Sequence, residues 1–335
     1  MARYKLRLKR RRLLWRCIRA RRQLSLISQK PVPNAGVLVF SVLRNEIARL
    51  PFFLEFYRNL GSAHFLFVDN GSDDGTAEYL AGQPDCSLWS TPASYRDARF
   101  GLDWLNWLQI RFGHGRWCLM VDADELLVFD GDDACTLPQL TESLEQIGQG
   151  GFGALMLDLY PQAALGTDTY KQGQDPREVL THFDPGPFRQ SRQEPRGNLW
   201  VQGGARERVF FADAPERSPT LNKIPLIKWR RSFAWTNSCH ALLPRRLNFL
   251  YDGPGGGTPS GALLHTKFLP EIVEKAQQER QRRQHFHTPE DFDDYYRQIE
   301  EAPVLFSGAS RRYDGPTQLA ELGLISKRDW MVSKK

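Results

Sequence analysis

The sequence is poor in cysteine, and its cysteines form no metal-binding or disulfide pattern. Only five of the 335 residues are cysteines, an odd number, and no Cys-x-x-Cys pair occurs among them. This distribution argues against a disulfide framework and against a cysteine-based zinc site. We therefore expect a protein of the reducing cytosol. The residues concerned are Cys17, Cys86, Cys118, Cys135 and Cys239.

Long apolar runs are missing as well. The longest apolar stretch near the N-terminus covers residues 13–15, whereas a cleaved signal peptide needs about 7 to 15 such residues. Nowhere else do roughly 18 apolar residues follow one another, so the sequence predicts no membrane-spanning helix.

Two glycine-rich phosphate-binding patterns are absent after the first predicted strand. The chain there reads Arg44-Asn45-Glu46-Ile47. It lacks the Gly-x-Gly-x-x-Gly of a dinucleotide dehydrogenase and the glycine-rich, basic loop of a nucleotidyltransferase. Both enzyme classes are therefore disfavoured.

Basic residues are concentrated in residues 1–22. This segment contains eleven of the 45 Lys and Arg residues and no acid, which leaves 34 bases against 39 acids in the rest of the chain. The interspersed Leu13, Leu14, Trp15 and Ile18 suit a basic amphipathic helix on an anionic membrane surface. A solvated, disordered arm is the alternative. Nucleic acid is not an expected partner, because a basic run alone is not a nucleic-acid-binding fold.

The rest of the sequence has the composition of an ordered globular protein, with 41% hydrophobic and 25% charged residues. Apolar segments rich in β-branched residues alternate with segments whose apolar residues recur at helical spacing. This alternation predicts an α/β fold with a doubly wound, mainly parallel sheet. We predict strands at 37–43, 64–68, 87–90, 117–121 and 154–159, and helices at 47–60, 75–80, 95–112, 136–149, 271–285 and from 288 onward; residues 161–265 read as strands and long loops.

An acidic segment follows the predicted strand 117–121. Asp122, Asp124 and Glu125 place three carboxylates in four residues, and such like charges repel one another unless a cation neutralises them. Mg²⁺ and Mn²⁺ prefer oxygen ligands, and alternate residues at a strand end point the same way, so Asp122 and Asp124 can share one ion. The alternatives are an ordinary acidic turn and a haloacid-dehalogenase phosphatase. The phosphatase is disfavoured because two strands precede the segment and Glu125 follows it.

Ligands of parallel α/β sheets bind outside the carboxyl ends of the strands. The residues after three predicted strands should therefore converge on one crevice. Besides the acidic segment, they are Asn45, Glu46, Asp69 and Asn70.

Three segments resemble one known family. Val-Leu-Arg-Asn-Glu at 42–46, Phe-Val-Asp-Asn-Gly-Ser-Asp-Asp-Gly-Thr at 67–76 and the acidic strand at 117–129 are similar in order and spacing to family 2-like GT-A glycosyltransferases. The resemblance covers about residues 36–160. It implies a GT-A fold and a nucleotide-diphosphate sugar, with a UDP-hexose favoured.

The resemblance also implies roles for individual residues. Asp69 would lie near the base, the first strand end would border the nucleoside, Asp122 would approach the ribose and diphosphate, and Asp124 would bind Mn²⁺ or Mg²⁺. Arginines before the acidic strand would contact the diphosphate, which a guanidinium can grip with two hydrogen bonds. The implied nucleotide-sugar contacts are Asn45, Glu46, Asp69, Asn70, Arg96, Arg99 and Asp122.

The later half resembles a non-processive bacterial subgroup through residues 203–210, 223–228 and 263–268. The Gln-x-x-Arg-Trp motif of processive synthases is absent, which argues against polymer extrusion. We therefore expect a basic arm at 1–33, a GT-A catalytic domain at 34–268 with nucleotide-sugar and acceptor halves divided at 160, and a helical extension at 269–335. The expected acceptor is a glycan or a glycolipid for the cell surface, and the expected location is cytoplasmic, at the inner face of the plasma membrane.

An inverting transferase needs a general base. The best candidate is Glu207, with Asp158 and Asp213 behind it, and a structural ion pair is the alternative for Glu207. The family also implies a C-terminal histidine that closes the metal site, for which we favour His265 over His240.

Lys223 and Lys267 could neutralise diphosphate or lie in solvent.

The competing function is a catalytically inactive protein that binds nucleotide sugar or acts as a scaffold at the membrane surface.

Overall fold

The computed structural model describes residues 2–282 and 293–331. Its described part contains a nine-stranded sheet in the order β1-β4-β3-β2-β5-β11-β7-β14-β6. The strands of this sheet are β1 (Ser25–Ser28), β2 (Val37–Leu43), β3 (Ser62–Asp69), β4 (Cys86–Ser90), β5 (Trp117–Met120), β6 (Glu125–Val128), β7 (Gly151–Asp158), β11 (Asn222–Lys228) and β14 (Ser260–His265). Short two-stranded sheets are formed by β8 (His182–Phe183) with β15 (Arg311–Arg312), β9 (Phe188–Gln193) with β10 (Asn198–Gly203), and β12 (Ala234–Asn237) with β13 (Ala241–Leu243).

Six of the nine strands run in one direction. β4, β3, β2 and β5 are parallel neighbours, and β7 and β14 form a second parallel pair in the same sense. β1, β6 and β11 run the opposite way, and β11 separates β5 from β7. These strand directions confirm the predicted α/β fold with a large, mostly parallel sheet.

The helices between the strands lie near the predicted positions. A helix predicted from residue 95 begins only at Leu102, because 95–101 form turns in which Arg99 and Phe100 have positive φ. The helices are α1 (Ala2–Ala20), α2 (Leu50–Asn59), α3 (Thr76–Ala81), α4 (Leu102–Phe112), α5 (Leu137–Gln146), α6 (Gly204–Phe210), α7 (Ile272–Arg282), α8 (Asp293–Glu300) and α9 (Pro316–Glu321). The predicted helix start at 288–291 lies outside the described residues.

Each face of the sheet carries a hydrophobic core. Val37 and Val39 of β2 lie in the core that contains α2, whereas Leu38 and Phe40 lie in the core that contains α4. This alternation follows from the two-residue period of a strand. It explains why β2 is an unbroken apolar run, since both of its faces are covered.

The basic N-terminal segment is ordered. Helix α1 packs against α4 and β12, with Leu13, Cys17 and Ala20 buried, and β1 pairs antiparallel with β4 at the edge of the sheet. The alternative of a disordered arm is therefore wrong. Among the described residues, no helix is both long and apolar enough to cross a membrane.

Candidate active site

Strand register sets three ionisable side chains next to one another. In the parallel pair of β7 and β14, Asp158 lies opposite His265. In the antiparallel pair of β14 and β6, His265 lies opposite Glu125. Residues directly opposite each other on neighbouring strands point to the same face of a sheet. The three strands therefore present a carboxylate, an imidazole and a second carboxylate in a row.

His265 connects two carboxylates. Its Nδ1 lies 2.6 Å from Asp158 Oδ1, and its Nε2 lies 3.2 Å from Asp124 Oδ2. Backbone contacts fix this arrangement, because Thr266 donates from both its amide and its hydroxyl to the carbonyl oxygen of Asp124. The turn that carries Asp124 is thereby held against the end of β14.

Asp158 is buried with both oxygens engaged. Arg206 of α6 donates from Nε to Asp158 Oδ2 at 2.7 Å, and the other oxygen faces His265. Burial alone would raise the pKa of Asp158, yet the Arg206 guanidinium and His265 lower it to about 2. A carboxylate in this position fixes the orientation of the imidazole, as in the carboxylate–histidine pairs behind many metal sites.

Lys223 is buried beside the acidic segment. Its Nζ lies 3.0 Å from Asp122 Oδ2 and also contacts Glu125 Oε1. Burial would lower the pKa of this lysine, but Asp122 and Glu125 hold it well above the usual value. Burial raises the pKa of Glu125, and its contact with the Lys223 ammonium counteracts that rise. Lys223 therefore supplies a fixed positive charge inside the acidic cluster.

Asp124 and His265 stabilise each other's charged forms. Burial would raise the pKa of Asp124, but the neighbouring His265 holds it well below its usual value. Burial would lower the pKa of His265, but Asp124 and Asp158 raise it. An imidazole held between two carboxylates suits a site whose total charge is negative.

Among the described residues, three side chains are close enough to share a metal ion. The potential ligand atoms of Asp124, Glu125 and His265 all lie within 4.8 Å of one another. Two carboxylates and one imidazole form a suitable donor set for Mn²⁺, and carboxylates also suit Mg²⁺. Asp122, a predicted ligand, lies outside this group and is paired with Lys223. The side chain of Asp122 is 49% exposed, against 25% for Asp124.

Glu46 and Arg49 connect the first strand end to this site. Arg49 is buried, donates from Nη1 to the carbonyl oxygen of Thr266 at 3.1 Å and pairs with Glu46 at 2.7 Å. Lys275 of α7 lies 2.9 Å from the other oxygen of Glu46. The predicted nucleoside contact Glu46 is therefore part of an ion-pair network, and its contact with nucleotide stays a prediction.

The second strand end is held by its own loop. Asp69 accepts hydrogen bonds from the amides of Gly71 and Ser72 and from the Ser72 hydroxyl. Asn70 donates to the carbonyl oxygens of Thr91 and Ala93.

Asn45 links the first strand end to this loop, because its side chain exchanges two hydrogen bonds with Asp73. These contacts are local and lie within one edge of the sheet. Nucleotide contacts of Asn45, Asp69 and Asn70 stay predictions.

The two predicted diphosphate arginines differ in their surroundings. Arg96 is exposed on the turn before α4. The guanidinium of Arg99 pairs with Asp103 and donates to the carbonyl oxygen of Trp235 at 2.9 Å. Arg99 thus joins α4 to β12 in this structure.

No protein-family model and no curated protein matches this chain, and two of the solved structures that resemble it do so weakly. One is the mannosyltransferase PcManGT from Pyrobaculum calidifontis in complex with GDP-Man and Mn²⁺, at 16% identity over 48% of this chain and 44% of that chain, with a TM-score of 0.26. The other is described as a glucose-1-phosphate thymidylyltransferase from Bacillus anthracis in complex with sucrose, at 8% identity over 86% and 94% of the two chains, with a TM-score of 0.29.

Both neighbours are transferases by description, and this chain spans less than half the length of the mannosyltransferase. TM-scores of this size carry no argument about fold or activity. The case for a function therefore depends on the residues of the site.

The remaining candidates have structural partners. Glu207 forms a two-pronged ion pair with Arg189 and accepts a hydrogen bond from Ser218. His240 is half-buried with Nδ1 2.5 Å from the carbonyl oxygen of Asn222, and desolvation lowers its pKa to about 3. Lys267 Nζ lies 5.2 Å from the ring centre of Tyr295.

Asp213 is exposed on the segment after α6. A catalytic role of Glu207 stays a prediction.

Sequence reasoning missed two features of the cluster. It assigned Glu125 no ligand role, and it placed Lys223 at a diphosphate or in solvent, whereas the lysine is buried between carboxylates. The signal for Lys223 was its position directly before the apolar residues 224–227 of β11, because a lysine in such a strand requires a buried acidic partner.

Proposed function

We propose that this chain is a metal-dependent glycosyltransferase that moves a sugar from a nucleotide-diphosphate sugar to a glycan or glycolipid acceptor. The observation that supports this function is the cluster of Asp124, Glu125 and His265, backed by Asp158. The cluster lies beyond the end of β5, and the neighbouring β2 and β3 end at the same edge. This edge is where ligands of such sheets bind.

The proposed metal ligands are Asp124 and His265, with Glu125 adjacent. A bound Mn²⁺ or Mg²⁺ would neutralise the charge that develops on the departing diphosphate. Asp158 and Arg206 keep the Nε2 of His265 directed toward Asp124. Lys223 offsets the charge of Asp122 and Glu125, so that the acidic segment is not left with three uncompensated carboxylates.

For the acceptor side, we propose that Glu207 is the general base of an inverting reaction. Asp158, the second candidate, suits this role less well, because both of its oxygens are engaged and its pKa is lowered to about 2. A base works best when its pKa lies near the operating pH.

A second candidate function is nucleotide-sugar binding without turnover. It is favoured by the engagement of Glu207 with Arg189 and of Arg99 with Asp103. Glu207 and Arg99 would each have to leave its ion-pair partner to act on substrate.

A UDP-hexose is the proposed donor, and a cytoplasmic site at the inner face of the plasma membrane is the proposed location. A glycolipid acceptor would be accessible to the enzyme at that membrane surface. Both proposals rest on the family resemblance of residues 36–160 and on the basic segment 1–22.

Calorimetric titration of UDP, GDP and CMP tests the donor site. We expect one nucleotide to bind with Mn²⁺ present, to lose that binding in EDTA, and to lose it in Asp124→Asn. Asp133→Asn is the matched control, because Asp133 is an exposed aspartate nearby in sequence. Absence of binding for every nucleotide under every condition would overturn the proposal.

A further inference from the structure

Helix α1 is held in one orientation by its inner face. Leu13 packs with Ala234 and Leu243 of the β12–β13 pair. One turn later, Arg16 pairs with Asp103 at 3.0 Å and the thiol of Cys17 lies 3.6 Å from the same carboxylate. These contacts determine which residues of α1 face outward.

The outward face carries large apolar side chains. Tyr4 is 65% exposed, Trp15 is 67% exposed and Ile18 is 36% exposed. At about 100° per residue, positions 4, 15 and 18 fall on one side of the helix, roughly opposite positions 13, 17 and 20. The inner face is therefore used for packing, while a second apolar stripe is presented to the surroundings.

Basic residues lie within this stripe and beside it, since Arg11 falls on the same side of the helix as Tyr4 and Ile18, while Arg12 and Arg19 fall at its border. Arg11, Arg12 and Arg19 are exposed, and no acidic residue occurs before residue 46. A helix that combines an apolar stripe with flanking arginines is typical of segments that lie in the membrane interface. Tryptophan and tyrosine are enriched at that depth, and clustered basic side chains are attracted to anionic headgroups.

We propose that the outward face of α1 is a docking site for an anionic lipid bilayer, with Tyr4, Trp15 and Ile18 inserted between the headgroups. Because the segment is positively charged, it should bind a negatively charged surface. Because it also carries an apolar stripe, it should prefer a bilayer to a free polyanion. A nucleic acid would engage the arginines and leave Trp15 and Ile18 in water. The proposal does not depend on the donor chemistry of the site.

Docking would also orient the site. Asp103, which anchors α1, lies in the first turn of α4. Helix α4 follows β4, so this turn lies at the edge of the sheet where the acidic cluster is found. The C-terminal part of α1 is therefore anchored at that edge. The view that docking brings a membrane-anchored acceptor within reach rests on the proposed function.

Co-sedimentation of the full chain with lipid vesicles tests the docking site. We expect binding to vesicles that contain phosphatidylglycerol, weak binding to pure phosphatidylcholine, and partial loss of binding in high salt. The double variant Trp15→Ser/Ile18→Ser keeps every charge and every inner contact, and we expect its partition coefficient to fall about tenfold or more. The single variant Trp15→Gln should change binding in the same direction.

Val304→Ser is the matched control, because Val304 is an exposed apolar residue far along the chain from α1. It should bind as the wild type does, and all variants should keep the wild-type melting temperature. Equal binding of wild type and double variant would overturn the proposal, since charge alone would then account for it. Failure of the wild type to bind anionic vesicles, with or without binding to a labelled RNA oligonucleotide, would overturn it too. Nucleotide binding is measured separately, so the two proposals fail independently.

Discussion

At the scale of single residues, the site is a balance of charge around His265. Four carboxylates lie in or directly behind it, and Lys223 and Arg206 provide two permanent positive charges. The four acids are Asp122, Asp124, Glu125 and Asp158. Residual negative charge of this kind favours a divalent cation over an empty site.

Glu207 and Arg189 provide a test that separates catalysis from structure. If Glu207 is the general base, Glu207→Gln should lower kcat of sugar transfer about 10² to 10⁴-fold. Arg189→Met removes the same ion pair while the carboxylate remains, and Arg189 is half exposed. Because an exposed ion pair contributes little free energy, this variant should change kcat less than about tenfold. Steady-state kinetics of both variants would make the comparison, and equal losses would assign Glu207 a structural role.

At the scale of elements, the site depends on β7 and β14 more than on the acidic segment itself. These two strands bring Asp158 and His265 together across more than one hundred residues of sequence. A change that disturbs β7 should therefore act on stability and on the site at once.

Gly153 of β7 provides such a change. A Cβ atom at this position would overlap the side chain of Tyr251, whereas a Cβ at Gly150, just before the strand, meets nothing within 4 Å. Gly153→Ala should lower the free energy of unfolding by about 1 to 3 kcal/mol through overpacking. Gly150→Ala should leave it nearly unchanged. Urea denaturation of both variants checks this, and similar stabilities would show that the Tyr251 packing is looser than described.

The sequence predicted the first half of the sheet and missed part of the second for one physical reason. Strands β2 to β5 and their helices are consecutive, so local periodicity and the β-α-β rule suffice. The insertion of β11 between β5 and β7 pairs its residues with partners about 110 positions away in β5 and about 70 positions away in β7, which periodicity does not encode. Asp124 was predicted as a ligand from the acidic segment, and His265 from the family resemblance. Lys223 and Arg206 were not placed in the cluster, because their positions there depend on long-range contacts.

At the scale of the whole molecule, the basic N-terminal segment is a packed layer of the protein. Composition showed its charge, but only tertiary contacts show that Leu13, Cys17 and Ala20 face inward while Trp15 faces outward. One molecule thus combines a carboxylate–histidine cluster at a sheet edge with a basic helix anchored near that edge.

The central claim is that the cluster of Asp124, Glu125 and His265 supports sugar transfer from a nucleotide-diphosphate sugar. Its most direct test is the release of nucleoside diphosphate from a panel of nucleotide sugars, measured with Mn²⁺, with EDTA, and for Asp124→Asn beside Asp133→Asn. The account predicts release from at least one donor that requires metal, survives in Asp133→Asn and falls about 100-fold or more in Asp124→Asn. Release that is unaffected by EDTA and equal in both variants would contradict it.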